Sequence, residues 1–246
     1  IDREYPEADV RCILVLDATT GQNGLNQART FKEFAEIGGI SSVSFEGQKI
    51  SEVYPSLAAF CDMVLTDEDA VIANSDVVFA SLPHGLCEEK AKKVLALGKA
   101  FIDLGADFRL YREEDYQQWY GLEYKEKQLH EQAVYCIPEL HRGLAGGKRL
   151  IGNPGCYPTS IALGLAPALK AGFVFADDII IDSKSGVTGA GRGLSQKTHY
   201  PDCNEAFSPY KAAEHRHTPE IEQTLTELAG ERAMVTFVPH LLPVNR

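Results

Sequence analysis

No apolar run in this 246-residue chain approaches the roughly 20 residues that span a bilayer, which excludes a membrane-spanning helix as its organising element. Basic residues are few: 24 Lys and Arg stand against 35 Asp and Glu, a net charge of −11. That balance argues against nucleic acid or an anionic membrane surface as a partner, although local arginines and helix termini can still hold small anions. No secretory signal is legible. None of the six cysteines, Cys12, Cys61, Cys87, Cys136, Cys156 and Cys203, stands in a C-x-x-C pair. Their scatter argues against zinc-ribbon and thioredoxin-type sites and fits reduced thiols in the cytoplasm. Internal repeats and low-complexity tracts are also missing, so the length reads as one large globular domain or two smaller ones.

What is present is an alternation of strand-like and helix-like segments. Residues 12–16 form a short apolar run, followed by a glycine-containing turn and a helical stretch over 25–36. Residues 40–45 and 63–65 read as strands, and 76–82 (DVVFASL) as a buried strand with a helix over 87–97 after it. The next strand is 100–104. This rhythm predicts an α/β fold, a doubly wound parallel sheet with helices on both faces. A short surface helix follows at 113–120, then an extended piece at 134–137. Beyond Cys156 the pattern changes to a buried helix, a strand at 179–183, a glycine-rich loop at 185–192, a helix at 219–228 and a strand at 234–238. A domain boundary is expected near Asn153, dividing residues 1–153 from residues 154–246.

Chemistry concentrates in a few short strings. Gly152-Asn153-Pro154-Gly155-Cys156-Tyr157-Pro158-Thr159 puts a cysteine in a tight turn that opens the buried helix, with Pro158 in the first helical turn. A thiol there feels the positive end of the helix dipole, which favours its thiolate and makes a nucleophile. The plain alternative is a structural cysteine beside a helix start. In His215-Arg216-His217-Thr218-Pro219-Glu220, Thr218 can cap a helix starting at Pro219. His215 and His217 alternate, so an extended backbone sends both side chains the same way. They read either as an acid/base pair for a nearby thiol or as one surface and one packing histidine. Zinc would need further ligands at suitable spacing, and no metal site is predicted. Arg109 follows the strand 100–104 at the end where doubly wound sheets bind ligands, and can hold a phosphate or pair with Asp103 or Asp107. Ser81-Leu82-Pro83-His84-Gly85 occupies the same position after its own strand. The loop Ser185-Gly186-Val187-Thr188-Gly189-Ala190-Gly191-Arg192 leaves backbone N–H groups open to an anion or a flat ring.

Together the strings KISEVYPSL, DVVFASLPHG, FIDLGADFRL, NPGCYPT, SKSGVTGAGR, HRHTPEIEQ and PHLLPVNR resemble the N-acetyl-gamma-glutamyl-phosphate reductases of arginine biosynthesis. The resemblance covers residues from about 41 to 246. It implies a Rossmann-like dinucleotide-binding domain over 1–153 and an α+β catalytic and dimerisation domain over 154–246. It further implies NADP(H) as cofactor, an acyl phosphate and phosphate as small-molecule ligands, and a homo-oligomer. Cys156 would form a thioacyl intermediate and His215 or His217 would act as acid/base. Arg109, Asn153 and Ser185 would face substrate. Pro83, His84, Gly186 and Gly189 would line the cofactor. The family's chains continue past the PHLLPVNR string, which implies a missing C-terminal part of the second domain.

The family's N-terminal glycine fingerprint is altered. Ala18 stands where its first glycine is expected, with Gly21 and Gly24 in the second and third positions. ILVLDATTGQNGLNQARTFKEF, within residues 1–40, is similar to the GTPase domain of the bacterial signal-recognition-particle receptor. It implies a chimera, with a non-catalytic engineered or fragmentary scaffold as the second reading. The GxxxxGK[ST] pattern is absent, which argues against GTP hydrolysis.

Overall fold

The structure is a computed structural model that describes residues 11–16, 36–42, 44–55, 58–59, 61–191 and 193–245. The expected glycine fingerprint positions Ala18, Gly21 and Gly24, most of the helical stretch 25–36, and Arg192 lie outside the described residues.

In chain order the first unit runs β1 (Arg11–Leu16), β2 (Glu36–Ser41), α1 (Glu68–Ala73), β3 (Val77–Ser81), α2 (Cys87–Ala96), β4 (Ala100–Asp103), α3 (Glu113–Tyr120), α4 (Lys127–Gln132), β5 (Val134–Tyr135), α5 (Pro138–Ala145) and β6 (Leu150–Gly152). Its strands form one sheet in the order β2-β1-β3-β4-β6-β5, with every pairing parallel. The chain steps outward from β1 to β2 and returns to β3 on the other side of β1. The strand order therefore reverses between β1 and β3, where Leu16 pairs with Ser81, and ligands of such sheets bind beyond a reversal of this kind. β3 is buried through Val78, Phe79 and Ala80, as a strand covered on both faces must be. On one face Val78, Ala80, Phe101 and Leu150 pack with Cys87, Ala91 and Val94 of α2. On the other, Phe79 meets Ile40, Ile50 and Leu65. Each Val, Leu, Ile or Phe among them contributes about 1.5–3 kcal/mol of burial.

The second unit contains α6 (Cys156–Lys170), β7 (Ile179–Gly186), β8 (Ser208–Pro209), α7 (Thr218–Ala229) and β9 (Val235–Leu242). β7 pairs with β9 in parallel and β8 with β9 antiparallel. Tyr157, Ile161 and Leu169 of α6 and Ile221 and Leu225 of α7 pack on Ile179, Ile181 and Phe237 of the sheet.

Gly152, the last residue of β6, passes the segment after β4 at very close range. A Cβ there would lie 2.1 Å from the carbonyl oxygen of Phe108. Only glycine admits this backbone-to-backbone approach, which brings Arg109 beside Asn153.

Several boundaries differ from the sequence expectation. Glu36 opens β2 rather than ending a helix, and β2 stops at Ser41, after which the Phe45 N–H donates to the Ser42 carbonyl rather than to a strand. The Gly38-Gly39 pair hides this strand from a propensity reading. Gly39 is glycine because a Cβ would press on Val71 of α1 at 3.1 Å. Residues 63–65 hold one isolated bridge, Val64 with Lys49. β7 continues to Gly186 because Ser185 and Gly186 pair with Leu241 and Leu242, so the glycine-rich loop begins two residues late and then coils into a 3-10 turn at Val187–Ala190. α1, α4, α5 and β6 were not anticipated, although the Asp67 side chain caps α1 through the Ala70 N–H at 3.0 Å. No helix among the described residues is long and apolar enough to cross a membrane.

Candidate active site

α6 begins where the Gly155 backbone, extended at φ −69° and ψ 161°, turns into the helix. Cys156 takes the first helical position and is exposed, while Gly155 and Tyr157 on either side are buried. The thiol lines a cavity of about 310 Å³ between the two units. His84 and Arg109 come to the same cavity from loops after β3 and β4, Tyr120 from α3, and Ser185, Gly189 and Ala190 from the end of β7 and its 3-10 turn. Tyr210, Lys211, His215, Arg216 and His217 enter from the segment before α7.

The turn that presents Cys156 is held from behind. The Gly155 N–H donates to Oε1 of Glu220 at 2.7 Å, and the Tyr135 hydroxyl donates to the same oxygen at 3.0 Å. Glu220 is fully buried, and burial pushes its carboxyl above the ordinary range despite Arg109 nearby. Arg109 Nη1 lies 3.5 Å from Glu220 Oε2. Its Nε donates to the Asn153 carbonyl at 2.7 Å and its Nη2 to the Leu104 carbonyl at 3.0 Å. The Asn153 N–H donates to the Asp103 carbonyl at 2.8 Å. Arg109 thus pairs with Glu220, the partner the sequence did not suggest, rather than with Asp103 or Asp107.

His217 packs directly on the cysteine turn. A Cβ on Gly155 would stand 2.8 Å from its Cε1 and Nε2 and 3.0 Å from Arg109 Nη1. Glycine is required here by space, not by φ. Burial, followed by the Arg109 charge, holds the His217 imidazole well below its ordinary value. Its Nδ1 is buried without a hydrogen-bond partner among the described residues. His215 sits 4.8 Å from it, ring centre to ring centre, and accepts the His217 backbone N–H on Nδ1 at 3.1 Å. Burial, with Lys211 and Arg216, pushes His215 down to about 4. Both rings are therefore neutral near pH 7. Tyr157, Tyr210 and Phe237 surround His215 edge to face at 5.3–5.5 Å. Thr218 is the first residue of α7 rather than its cap, and its hydroxyl has no hydrogen-bond partner among the described residues.

The cofactor-side expectations divide. His84 lines the cavity, and its buried Nδ1 has no hydrogen-bond partner among the described residues. Pro83 stays at the surface. Gly186 is buried and lines a neighbouring cleft, which Cys156, Ser185 and Gly189 share. The loop bearing His84 is anchored by Asp107, whose carboxylate accepts the Gly85 N–H at 2.8 Å, the Cys87 N–H at 2.9 Å and the Tyr116 hydroxyl at 2.8 Å. No cluster of His, Cys, Asp and Glu able to hold a metal occurs among the described residues.

Two family models match this chain. Residues 18–145 match the semialdehyde dehydrogenase NAD binding domain, and residues 156–246 match the semialdehyde dehydrogenase dimerisation domain. The chain belongs to the semialdehyde dehydrogenase family. Among its curated relatives, the N-acetyl-gamma-glutamyl-phosphate reductase of Brachyspira hyodysenteriae is 58% identical over 218 residues, covering 86% of this chain and 62% of that protein. The protein of the same name from Symbiobacterium thermophilum is 48% identical over 231 residues, covering 92% of this chain and 66% of its own length. The chain thus spans about three fifths of the first of these relatives. In fold it resembles the crystal structure of aspartate semialdehyde dehydrogenase with NADP from Candida albicans, with a TM-score of 0.64 at 16% identity, over 96% of this chain and 69% of that one. It also resembles aspartate semialdehyde dehydrogenase II of Vibrio cholerae, with a TM-score of 0.67 at 14% identity, over 97% of this chain and 72% of that one.

The semialdehyde dehydrogenase match corrects one expectation. Residues 18–40 fall inside the NAD binding domain match, and nothing supports a GTPase origin for residues 1–40 or a chimeric chain. Sequence reasoning also missed residues of this family member's site. Glu220 stood in the sequence only as the last residue of the string that begins at His215. Tyr210, Lys211 and Arg216 lie next to the quoted motifs but carried no separate signal.

Proposed function

We propose that the chain carries out the NADPH-dependent reduction of N-acetyl-gamma-glutamyl phosphate to N-acetyl-glutamate semialdehyde, as the names of its relatives suggest. The observation that carries this reading is an exposed cysteine at a helix N-terminus, in one cavity with three histidines and three cations. The Cys156 thiolate attacks the acyl carbonyl. A carbon–sulfur bond forms, the carbon–oxygen bond to phosphate breaks, and phosphate leaves. His217, whose ring abuts Gly155, takes the thiol proton and passes it to the departing phosphate oxygen. His215 supports it through the backbone contact to Nδ1. Asn153 fixes the cysteine turn, Arg109 presents an anchored charge, and Ser185 faces the acyl chain.

A dinucleotide fits the residues present. The strand order reverses at β1 and β3, and His84 offers a buried, unpartnered nitrogen beside the cavity. His84, Pro83, Gly186 and Gly189, with Ala18, Gly21 and Gly24, would hold it. When bound, NADPH supplies the hydride that converts the thioester to the aldehyde and frees Cys156. On this reading residues 1–153 bind the cofactor and residues 154–246 carry catalysis and subunit contacts in a cytoplasmic homo-oligomer.

The test is the reverse reaction with semialdehyde, phosphate and NADP. Phosphate-dependent NADPH formation that disappears in Cys156→Ser is expected. No formation, or formation indifferent to that change, removes the proposal.

A further inference from the structure

Arg109 is committed to the scaffold through the Asn153 and Leu104 carbonyls and Glu220. Two other cations at the cavity are not. Lys211 and Arg216 are exposed, line the cavity with Cys156, and have no carboxylate partner among the described residues. Among the described residues no Asp or Glu lines that cavity, in a chain whose net charge is −11. Positive charge without a counter-charge, set between low-dielectric walls, draws anions strongly.

The backbone is bent to deliver these side chains. Lys211 has φ 45° and Ala213 φ 57°, the left-handed region that side-chain-bearing residues avoid. In an extended strand Arg216 would point away from His215 and His217. Instead the chain turns, the Thr218 N–H donating to the His215 carbonyl at 2.9 Å, and all three side chains reach one cavity. The Arg216 guanidinium stands 5.5 Å from the Tyr120 ring centre, and the Tyr120 hydroxyl donates to the Arg216 carbonyl at 3.5 Å, so α3 orients the fork.

We infer that Arg216 and Lys211 are the anion-recognition pair of the cavity, taking a carboxylate or phosphoryl oxyanion of the acyl phosphate offered to Cys156. The inference rests on the acyl-phosphate reading above for its substrate, but not for its charge. His84, His215 and His217 are all held below their ordinary value, by burial first and in part by nearby cations, so the cavity's positive charge belongs to the arginines and the lysine. Arg216 suits a planar bidentate anion and Lys211 a point contact.

Two arms test it on the full chain. The first needs no turnover. Cys156 is alkylated with iodoacetate and with iodoacetamide, and each cysteine is followed by peptide mass spectrometry. The anion-to-neutral rate ratio at Cys156 is expected to exceed that at Cys203 by about tenfold at low salt. It should fall toward the Cys203 value in Arg216→Gln, in Lys211→Gln and at high salt. Equal ratios at the two cysteines, or ratios unchanged in both variants, overturn the inference whatever the enzyme does. The second arm measures KM for phosphate and for semialdehyde in the reverse reaction. A rise of about tenfold for either substrate, with kcat changed less, is expected in each variant, and the substrate affected identifies the anion held. Unchanged KM values in an active chain overturn the inference. Absence of turnover in the unaltered chain counts against the acyl-phosphate reading alone and leaves the first arm to decide.

Discussion

Oε1 of Glu220 accepts the backbone N–H of Gly155 at 2.7 Å, so the turn that presents Cys156 is tied to the first turn of α7 from 65 residues away. The same carboxylate faces Arg109, and both side chains are buried. Glu220→Gln keeps the shape but leaves a buried guanidinium without its counter-charge. A loss of about 3 kcal/mol in unfolding free energy is expected, read from urea titrations. Equal stabilities would mean that Arg109 is neutralised elsewhere.

Gly155→Ala tests the packing of His217. The new methyl group must displace the imidazole or Arg109. A shift of the acid/base group by about 1 Å costs roughly 100-fold in kcat, while cofactor affinity should hold. Retention of full kcat would show that His217 can move without consequence.

The buried histidine makes stability depend on pH. His215 titrates near 4 in the fold, against about 6.5 in an unfolded chain. Between those values the unfolded chain binds the extra proton, so this contribution is complete above about 6.5 and is lost as pH falls toward 4. Asp103, raised to about 6 by burial and then by Asp107, acts oppositely: its contribution is present at low pH and lost as pH rises through about 6. The two overlap, so the histidine term is isolated by comparison. His215→Phe should unfold with a flatter acid dependence than the parent between pH 4 and 6.5. Parallel curves would assign the acid sensitivity to other groups.

Much of the frame could be read from the residues, for identifiable reasons. β3, β4, α3 and α7 carry long apolar or helical periodicities, and Gly121 and Gly230, at φ 70° and 72°, end the two helices as expected of left-handed caps. β6 has only three residues, and its pairing with β4 and β5 has no local signature. Cys156, His215 and His217 were legible because their motifs are local. Glu220, Lys211 and Arg216 were not, because their significance lies in what the fold brings next to them. The strand character of Ser185 and Gly186 was equally hidden, being imposed by β9.

Cysteine accessibility gives an independent check on the fold. Iodoacetamide should label exposed Cys156 first, then the half-buried Cys61 and Cys203. Cys87 and Cys136 are buried, and burial with Asp103 and Asp107 close by pushes the Cys87 thiol far up. Those two should react only on unfolding. Labelling of Cys87 at the rate of Cys156 would contradict the packing of α2.

Gly152→Ala probes the packing of β6 against the segment after β4. Its methyl group would meet the Phe108 backbone, which cannot step aside as a flexible side chain can. A destabilisation of more than about 4 kcal/mol, or failure to accumulate folded protein, is expected. A well-folded variant with unchanged melting would show that β6 and the Phe108 segment tolerate a wider gap.

Asp107 satisfies the Gly85 and Cys87 amides and the Tyr116 hydroxyl at once. An asparagine would turn a donor toward one of these donors, and an alanine would strand all three. No single exchange serves the loop that carries His84 and the helix that carries Tyr120 together. One carboxylate therefore sets the position of two segments that are distant in sequence, and loosening either the loop after β3 or α3 loosens the other.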